Sequence, residues 1–381
     1  MSTVAFLNIG MHGRVNPTLP IVAELVRRGH SVSYHTPAAF GDEIAAAGAT
    51  VRPYPGGDLA IPDPPTPAGL VAALAGMAVR VLPAVLSDLR SVRPDLIVHD
   101  SACPWGAVAA RELGVPAAST FTTFAFNRGA PSPTAGSWGL LLSPGYLRSR
   151  RRLGRRGLPL VDLGNIRQPL NLVFTSRAFQ IGAAEFDDSY RFVGPSIGAR
   201  PAIPTFPLSQ LQDPVLYASL GTVFSADPRL LRRFATALAP LAGTVVVATG
   251  QTDPAALGDL PANVLAHRRV PQPEILDRAA LFVTHGGMNS VNEALYAGVP
   301  MLVVPQGADQ PLVASRVQAL GAGLTLGSGD VGALARRLLG EPSFGRAARA
   351  LQTAQREAGG ALRAADELEG YAEIGRRRAV R

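Results

Sequence analysis

The densest chemistry in this sequence of 381 residues lies in Leu281-Phe-Val-Thr-His-Gly-Gly-Met-Asn-Ser-Val-Asn-Glu-Ala-Leu295. An apolar run ends in His285, crosses two glycines and enters a segment with helical spacing of its apolar positions. Gly286 and Gly287 let the backbone approach a bound group closely. A helix opening near Met288 aims its free N–H groups and the positive end of its dipole at the same point. Residue types in this order suit an anion such as a phosphate. Asn289 and Ser290 add side-chain donors. Glu293, four residues past Asn289 and so on the same helix face, offers a carboxylate to the vicinal hydroxyls of a sugar.

Elements that would hold such a site are legible along the chain. Thr3 to Ile9 reads as a strand, Gly10 to Arg14 as a loop, Asn16-Pro17 as the cap and first turn of a helix reaching Arg28, and Ser31 to His35 as a second strand. That is a βαβ unit, and the pattern repeats through the strand ending at Val98 and helix Trp105 to Leu113. The text is irregular from Asn127 to Asn171, and a proline-rich stretch from Gly194 to Pro214 reads as a linker. A second alternation of strands and helices follows, with strands predicted at Val215 to Ser219, Thr244 to Ala248, Val264 to His267, Ala280 to Thr284, Met301 to Val304 and Gly323 to Leu326. The expectation is an α/β protein of two Rossmann-like domains facing a cleft, residues 1–205 and 206–381, with the last helix packing back on the first domain. Ligands would sit beyond the carboxyl ends of both sheets.

Composition removes other classes. With 47% hydrophobic and 17% charged residues the chain is globular, neither disordered nor fibrous. The formal charge of +8 is carried by arginine, since the sequence contains no lysine, and the basic residues are not interleaved with aromatics as in a nucleic-acid surface. The cluster Arg148, Arg150, Arg151, Arg152, Arg155, Arg156 and the tail Arg376 to Arg378 read as solvated segments. One cysteine, Cys103, excludes an internal disulfide and a cysteine-based zinc site, so a cytoplasmic location is expected. The apolar run at the N-terminus is too short for a signal sequence or a membrane span. No stable membrane insertion is expected, and the oligomeric state is monomer or homodimer. Neither half carries Gly-X-Gly-X-X-Gly after its first strand, which disfavours a dinucleotide oxidoreductase.

The Leu281–Leu295 stretch, continued by Gly298-Val-Pro-Met-Leu-Val-Val-Pro-Gln-Gly-Ala-Asp-Gln310, resembles the nucleotide-sugar motif of UDP-glycosyltransferases. Tyr217-Ala-Ser-Leu-Gly-Thr-Val-Phe224, Val270-Pro-Gln-Pro-Glu-Ile-Leu276 and Glu185-Phe-Asp-Asp-Ser-Tyr-Arg-Phe-Val-Gly-Pro195 are similar to the macrolide glycosyltransferase branch. The resemblance covers nearly the whole chain. It implies the GT-B fold and an inverting transferase that takes a UDP- or dTDP-sugar, UDP-glucose foremost, to a lipophilic small-molecule acceptor. It also implies that Thr222, His285, Ser290 and the backbone of Gly287 and Asn289 meet the diphosphate. Val270 and Gln272 would hold uracil or thymine through their backbone, Glu293 the ribose, and Asp309 with Gln310 the sugar hydroxyls. Arg269 stands where relatives carry an aromatic that stacks on the base. No Asp-X-Asp motif occurs, so neither a metal nor another cofactor is expected beside the nucleotide sugar. Phe121, Phe124, Phe126, Trp138 and Leu142 are candidates for an apolar acceptor pocket.

On the acceptor side the resemblance breaks. Relatives read His-Gly-His-Val-Asn-Pro, the second His being the base and pairing with a strand-terminal Asp. This chain reads His12-Gly13-Arg14-Val15-Asn16-Pro17, with the Asp present as Asp100. Arginine stays protonated at any working pH and cannot take a proton. One reading pairs Arg14 with Asp100 and gives the proton to His12. A second has an acceptor that ionises easily. A third is a non-catalytic helper protein that binds without transferring. His99, beside Asp100 in its strand, should point to the opposite face.

Overall fold

Short apolar runs with many β-branched residues form the strands, and in the N-terminal half seven of them pair in parallel. These are β1 (Thr3–Leu7), β2 (Ser31–Thr36), β3 (Thr50–Pro53), β4 (Leu96–Asp100), β5 (Ala117–Phe121), β6 (Leu170–Val173) and β7 (Tyr190–Phe192), in the order β3-β2-β1-β4-β5-β6-β7. The computed structural model describes residues 1–56, 59, 67–127, 144, 147–148, 151, 165–198, 203, 206–221 and 227–379. Thr222, Trp138, Leu142 and most of the Arg148–Arg156 cluster lie outside them.

Alternation of side chains gives the sheet two apolar faces. Val4, Phe6, Val32, Tyr34, Leu96 and Val98 face one side. Ala5, Leu7 and Ile97 face the other, where the long apolar helix Pro67–Val92 and the helix Pro104–Leu113 bury Leu74, Met77, Val81, Leu82, Val85 and Trp105. The first face is covered by the helix Leu19–Arg27 and, from the far end of the chain, by the helix Gly360–Ala379, whose Ala364, Ala365, Leu368 and Ala372 are buried in that core.

The chain divides into two compact units, Met1–Gly198 with Ala358–Arg381, and Ala199–Glu357. The return of the last helix is fixed at its entry, where the Gly360 N–H donates to the Val193 carbonyl at 2.6 Å. It is fixed along its length by charge. Arg28 bonds Glu24 within its own helix and reaches Asp366 and Glu369 on the last one, and His30 meets Glu369 at 2.6 Å. Hydrogen bonds from Arg27 and Arg28 hold the Glu24 carboxyl down to about 2, against an ordinary 4.5. A depressed carboxylate contributes stability that is complete above its ordinary pKa and lost as pH falls through the folded one. The melting temperatures of wild type and Glu24→Gln should therefore differ at pH 6 and converge as pH drops from about 4.5 towards about 2. A difference that persists at the acid end would show that Glu24 acts through packing and not through its charge.

In the second unit β8 (Val215–Ser219), β9 (Thr244–Ala248), β10 (Val264–His267), β11 (Ala279–Thr284), β12 (Met301–Val303) and β13 (Gly323–Thr325) form a parallel sheet ordered β10-β9-β8-β11-β12-β13. The strand order reverses between β8 and β11 here, and between β1 and β4 in the first sheet. In doubly wound sheets such reversal points leave a crevice at the carboxyl ends of the strands.

The first loop differs from expectation. Asn16 caps nothing with its side chain; instead a single turn, His12–Val15, begins earlier and runs through a 3-10 turn, Asn16–Thr18, into the longer helix. Pro17 and Pro20 lack N–H groups, so a regular i to i−4 ladder cannot cross this region and the path is broken into short pieces. Buried polar groups hold it down: Asn8 donates to the Arg14 carbonyl and to Tyr34 Oη, and Thr18 Oγ1 is 2.6 Å from Tyr34 Oη.

Candidate active site

Both groups of chemically distinctive residues fall at a reversal point. In the second unit β11 ends at Thr284 and is followed by His285, and the helix Met288–Ala297 starts at Gly287 without any side-chain cap. The first N–H groups of a helix have no carbonyl partner within it, so this end suits an anion. The two glycines do different work. Gly286 has φ +87, and a Cβ there would lie 2.7 Å from Val303 Cγ1 and 3.5 Å from the Gln310 carbonyl oxygen, so it lets the turn close against the start of the helix Gln310–Ala319. Gly287 has an ordinary φ of −61, but a Cβ on it would stand 2.4 Å from His285 Nε2. Gly221, two residues past β8, also approaches the ring, with a Cβ 2.8 Å from His285 Cε1. The imidazole thus fills a slot between two residues without side chains. Burial pushes its pKa down, opposed by the Asp309 charge and the Ser219 carbonyl.

Glu293 is almost fully buried on the same helix, and its Oε2 accepts from Gln272 Nε2 at 2.8 Å. Gln272 Oε1 in turn accepts from Tyr217 Oη at 2.9 Å, and the Tyr217 ring stacks on Phe282 with centroids 4.7 Å apart. The Gln272 side chain is thereby committed to orienting Glu293. Sequence reasoning gave Tyr217 no role. The signal was there, because a tyrosine in an otherwise apolar buried strand needs a partner for its hydroxyl. Arg269 is exposed, Val270, Asn289, Ser290 and Asp309 are half-buried, and Gln310 is buried.

In the first unit Asp100 ends β4 fully buried. Its carboxylate receives Arg14 Nη1 at 3.3 and 3.4 Å and the Ala102 N–H at 2.7 Å. Burial pushes the Asp100 pKa up, and Arg14 and the Ala102 N–H oppose the rise. His12 is exposed, its ring edge-on to Phe40 at 4.9 Å. The other histidines of this unit are engaged elsewhere. His99 points away from Asp100's side chain, as strand alternation requires. Its Nδ1–H donates to the Asp100 carbonyl, its Nε2 accepts from Gln168, and burial lowers it to about 4. His35 is buried and also lowered to about 4, and His30 is tied to Ser2 and Glu369. Phe121, Phe124 and Phe126 are buried, with Phe121 against Tyr190 and Phe124 against Phe179, so the first two are packed core contacts. Among the described residues no cluster of His, Cys, Asp or Glu has a metal-binding arrangement.

Residues 232–359 match the family described as erythromycin biosynthesis protein CIII-like, C-terminal domain. The chain is 33% identical to the NDP-glycosyltransferase YjiC of Bacillus subtilis (strain 168), over 97% of each chain. It is 32% identical to the oleandomycin glycosyltransferase of Streptomyces antibioticus, over 96% of this chain and 90% of the relative. Its structure superposes on the calicheamicin glycosyltransferase CalG4 with a TM-score of 0.82 at 32% identity, covering 97% of this chain and 98% of the other. With two parallel α/β sheets, ligand-type residues at both reversal points and full-length relatives of this kind, the chain belongs to the macrolide-type glycosyltransferases of the UDP-glycosyltransferase superfamily, with the GT-B fold.

Proposed function

We propose that this glycosyltransferase transfers a sugar with inversion, without a metal, from a UDP- or dTDP-sugar, UDP-glucose foremost, to a hydroxyl of a lipophilic natural-product acceptor. The observation that carries this reading is the uncapped start of the Met288–Ala297 helix at the β8/β11 reversal point, with His285 beside it and buried Glu293 oriented by Gln272. Relatives named for nucleoside-diphosphate sugars and for an antibiotic acceptor support the substrate classes.

In this mechanism the acceptor oxygen attacks the anomeric carbon as the bond to the diphosphate oxygen breaks, and configuration inverts. Negative charge grows on the leaving diphosphate. The helix N–H groups and the Ser290 hydroxyl are preorganised to meet it. The acceptor's proton goes to His12, the exposed histidine of the first unit. Asp100 is held by Arg14 and does not orient that imidazole.

The decisive test is to incubate the protein with a panel of UDP- and dTDP-sugars and aglycones and look for a mass increase of one hexose in the acceptor. No product with any pair would overturn the reading. Turnover should be unchanged by EDTA, because the leaving charge is met by protein donors; a chelated enzyme that only Mg²⁺ or Mn²⁺ revives would refute the metal-free part. Ser290→Ala should weaken UDP by about tenfold or more in calorimetry, the loss of a hydrogen bond to a charged group.

A further inference from the structure

The turn between β12 and the helix Gln310–Ala319 carries Asp309, and the side chain of Gln310 bonds back onto that turn. Gln310 is 5% exposed. Its side-chain Oε1 accepts the backbone N–H of Gln306 at 2.7 Å and of Gly307 at 3.2 Å, which uses both lone pairs of that carbonyl. The Gln310 N–H donates back to the Gly307 carbonyl at 3.2 Å, so the five residues close into a small clasp. Inside it Ala308 has φ +54, in the left-handed region that a residue with a Cβ adopts only where its surroundings impose it. The clasp is the imposing element. Immediately after Ala308, Asp309 takes the N-cap position of the helix, and its backbone carbonyl receives the N–H groups of Leu312 and Val313. On the other side the clasp abuts Gly286 of the diphosphate turn.

We infer that Gln310 is a positioning residue, whose side-chain carbonyl fastens the 306–310 turn so that Asp309 is presented to the transferred sugar. This rests on the donor-site reading above and deepens it. A glutamine held only by a sugar would leave the turn free to relax when no donor is bound, whereas the clasp is complete in the protein by itself.

The test separates the two roles. Amide hydrogen exchange at Gln306 and Gly307 in the ligand-free protein should accelerate about tenfold or more in Gln310→Met, which keeps the shape and removes the acceptor, the loss of one or two hydrogen bonds. Gln310→Glu supplies acceptor oxygens and should restore the protection. In calorimetry Gln310→Met should weaken UDP-glucose about tenfold while leaving UDP unchanged, and Ala308→Gly in that background should recover part of the loss, because glycine adopts the left-handed conformation without strain. Unchanged exchange in Gln310→Met would overturn the proposal. So would Gln310→Glu that restores protection yet binds UDP-glucose as weakly as Gln310→Met, since the amide NH₂ would then be reading the sugar. The exchange measurement needs no donor, so a protein that binds no nucleotide sugar would defeat the functional reading and leave the clasp to be judged separately.

Discussion

His12→Ala should lower turnover on an alcohol acceptor by ~10² to 10⁴-fold, the usual worth of general-base catalysis. With an acidic phenol, which gives up its proton far more readily than an alcohol, the loss should shrink. The reason is positional: His30, His35 and His99 are bonded or buried, and Arg14 has no proton to gain. Arg14→His should then give Asp100 an imidazole to orient and raise turnover on the alcohol, and it should rescue His12→Ala. Arg14→Ala provides the stability control. Removing the half-buried Arg14 leaves the fully buried Asp100 carboxylate without its guanidinium, and the melting temperature should fall. Because burial already holds Asp100 above the usual carboxylate range, that loss is present at high pH and declines as the pH falls and the carboxyl takes up a proton. If His12→Ala leaves turnover untouched while Arg14→His reduces it, both roles fail, and Arg14 is better understood as a charge that orients an anionic acceptor.

Gly287→Ala should weaken UDP binding by about five- to 150-fold, equivalent to the ~1 to 3 kcal/mol of an overpacked site. The methyl group would arrive 2.4 Å from His285 Nε2 and displace the ring from the mouth of the helix. Backbone strain is not involved, since φ −61 suits alanine, so the melting temperature should hold while nucleotide affinity falls. Gly286→Ala should behave in the opposite way. Its φ of +87 and the 2.7 Å approach to Val303 make the damage structural, and the melting temperature should fall with the affinity. Equal UDP affinity in wild type and Gly287→Ala, measured by calorimetry, would remove His285 from the diphosphate site.

Much of this was legible in the sequence because it depends on local pattern. Runs such as Val215 to Ser219 and the glycine turn after Thr284 announce strand and helix start through spacing, and the structure places them within a residue or two. What could not be read depends on contacts across the fold. Gly287 looked like a residue freeing the backbone, while its actual neighbour is the imidazole two residues back. Gln310 reads in the sequence as a partner for sugar hydroxyls, and only the folded turn shows that its carbonyl is also bonded to Gln306 and Gly307. The helical turn at His12 escaped because it is held by Asn8, just past β1, and through it by Tyr34 of β2, and not by its own propensity.

The last helix, seated in the core of the first unit, makes the second unit an insertion within the first. Residues 199–357 leave and re-enter the same body, and the bond between Gly360 and Val193 keeps the departure and return points adjacent. A fragment cut once near residue 199 would strip Ala364, Leu368 and Ala372 from the first core and leave an orphan helix on the second. Excising 199–357 and bridging the ends with a short flexible linker should instead yield a self-contained first unit. For the same reason, chimeras that exchange donor specificity should swap this internal cassette and keep the native C-terminus of the recipient.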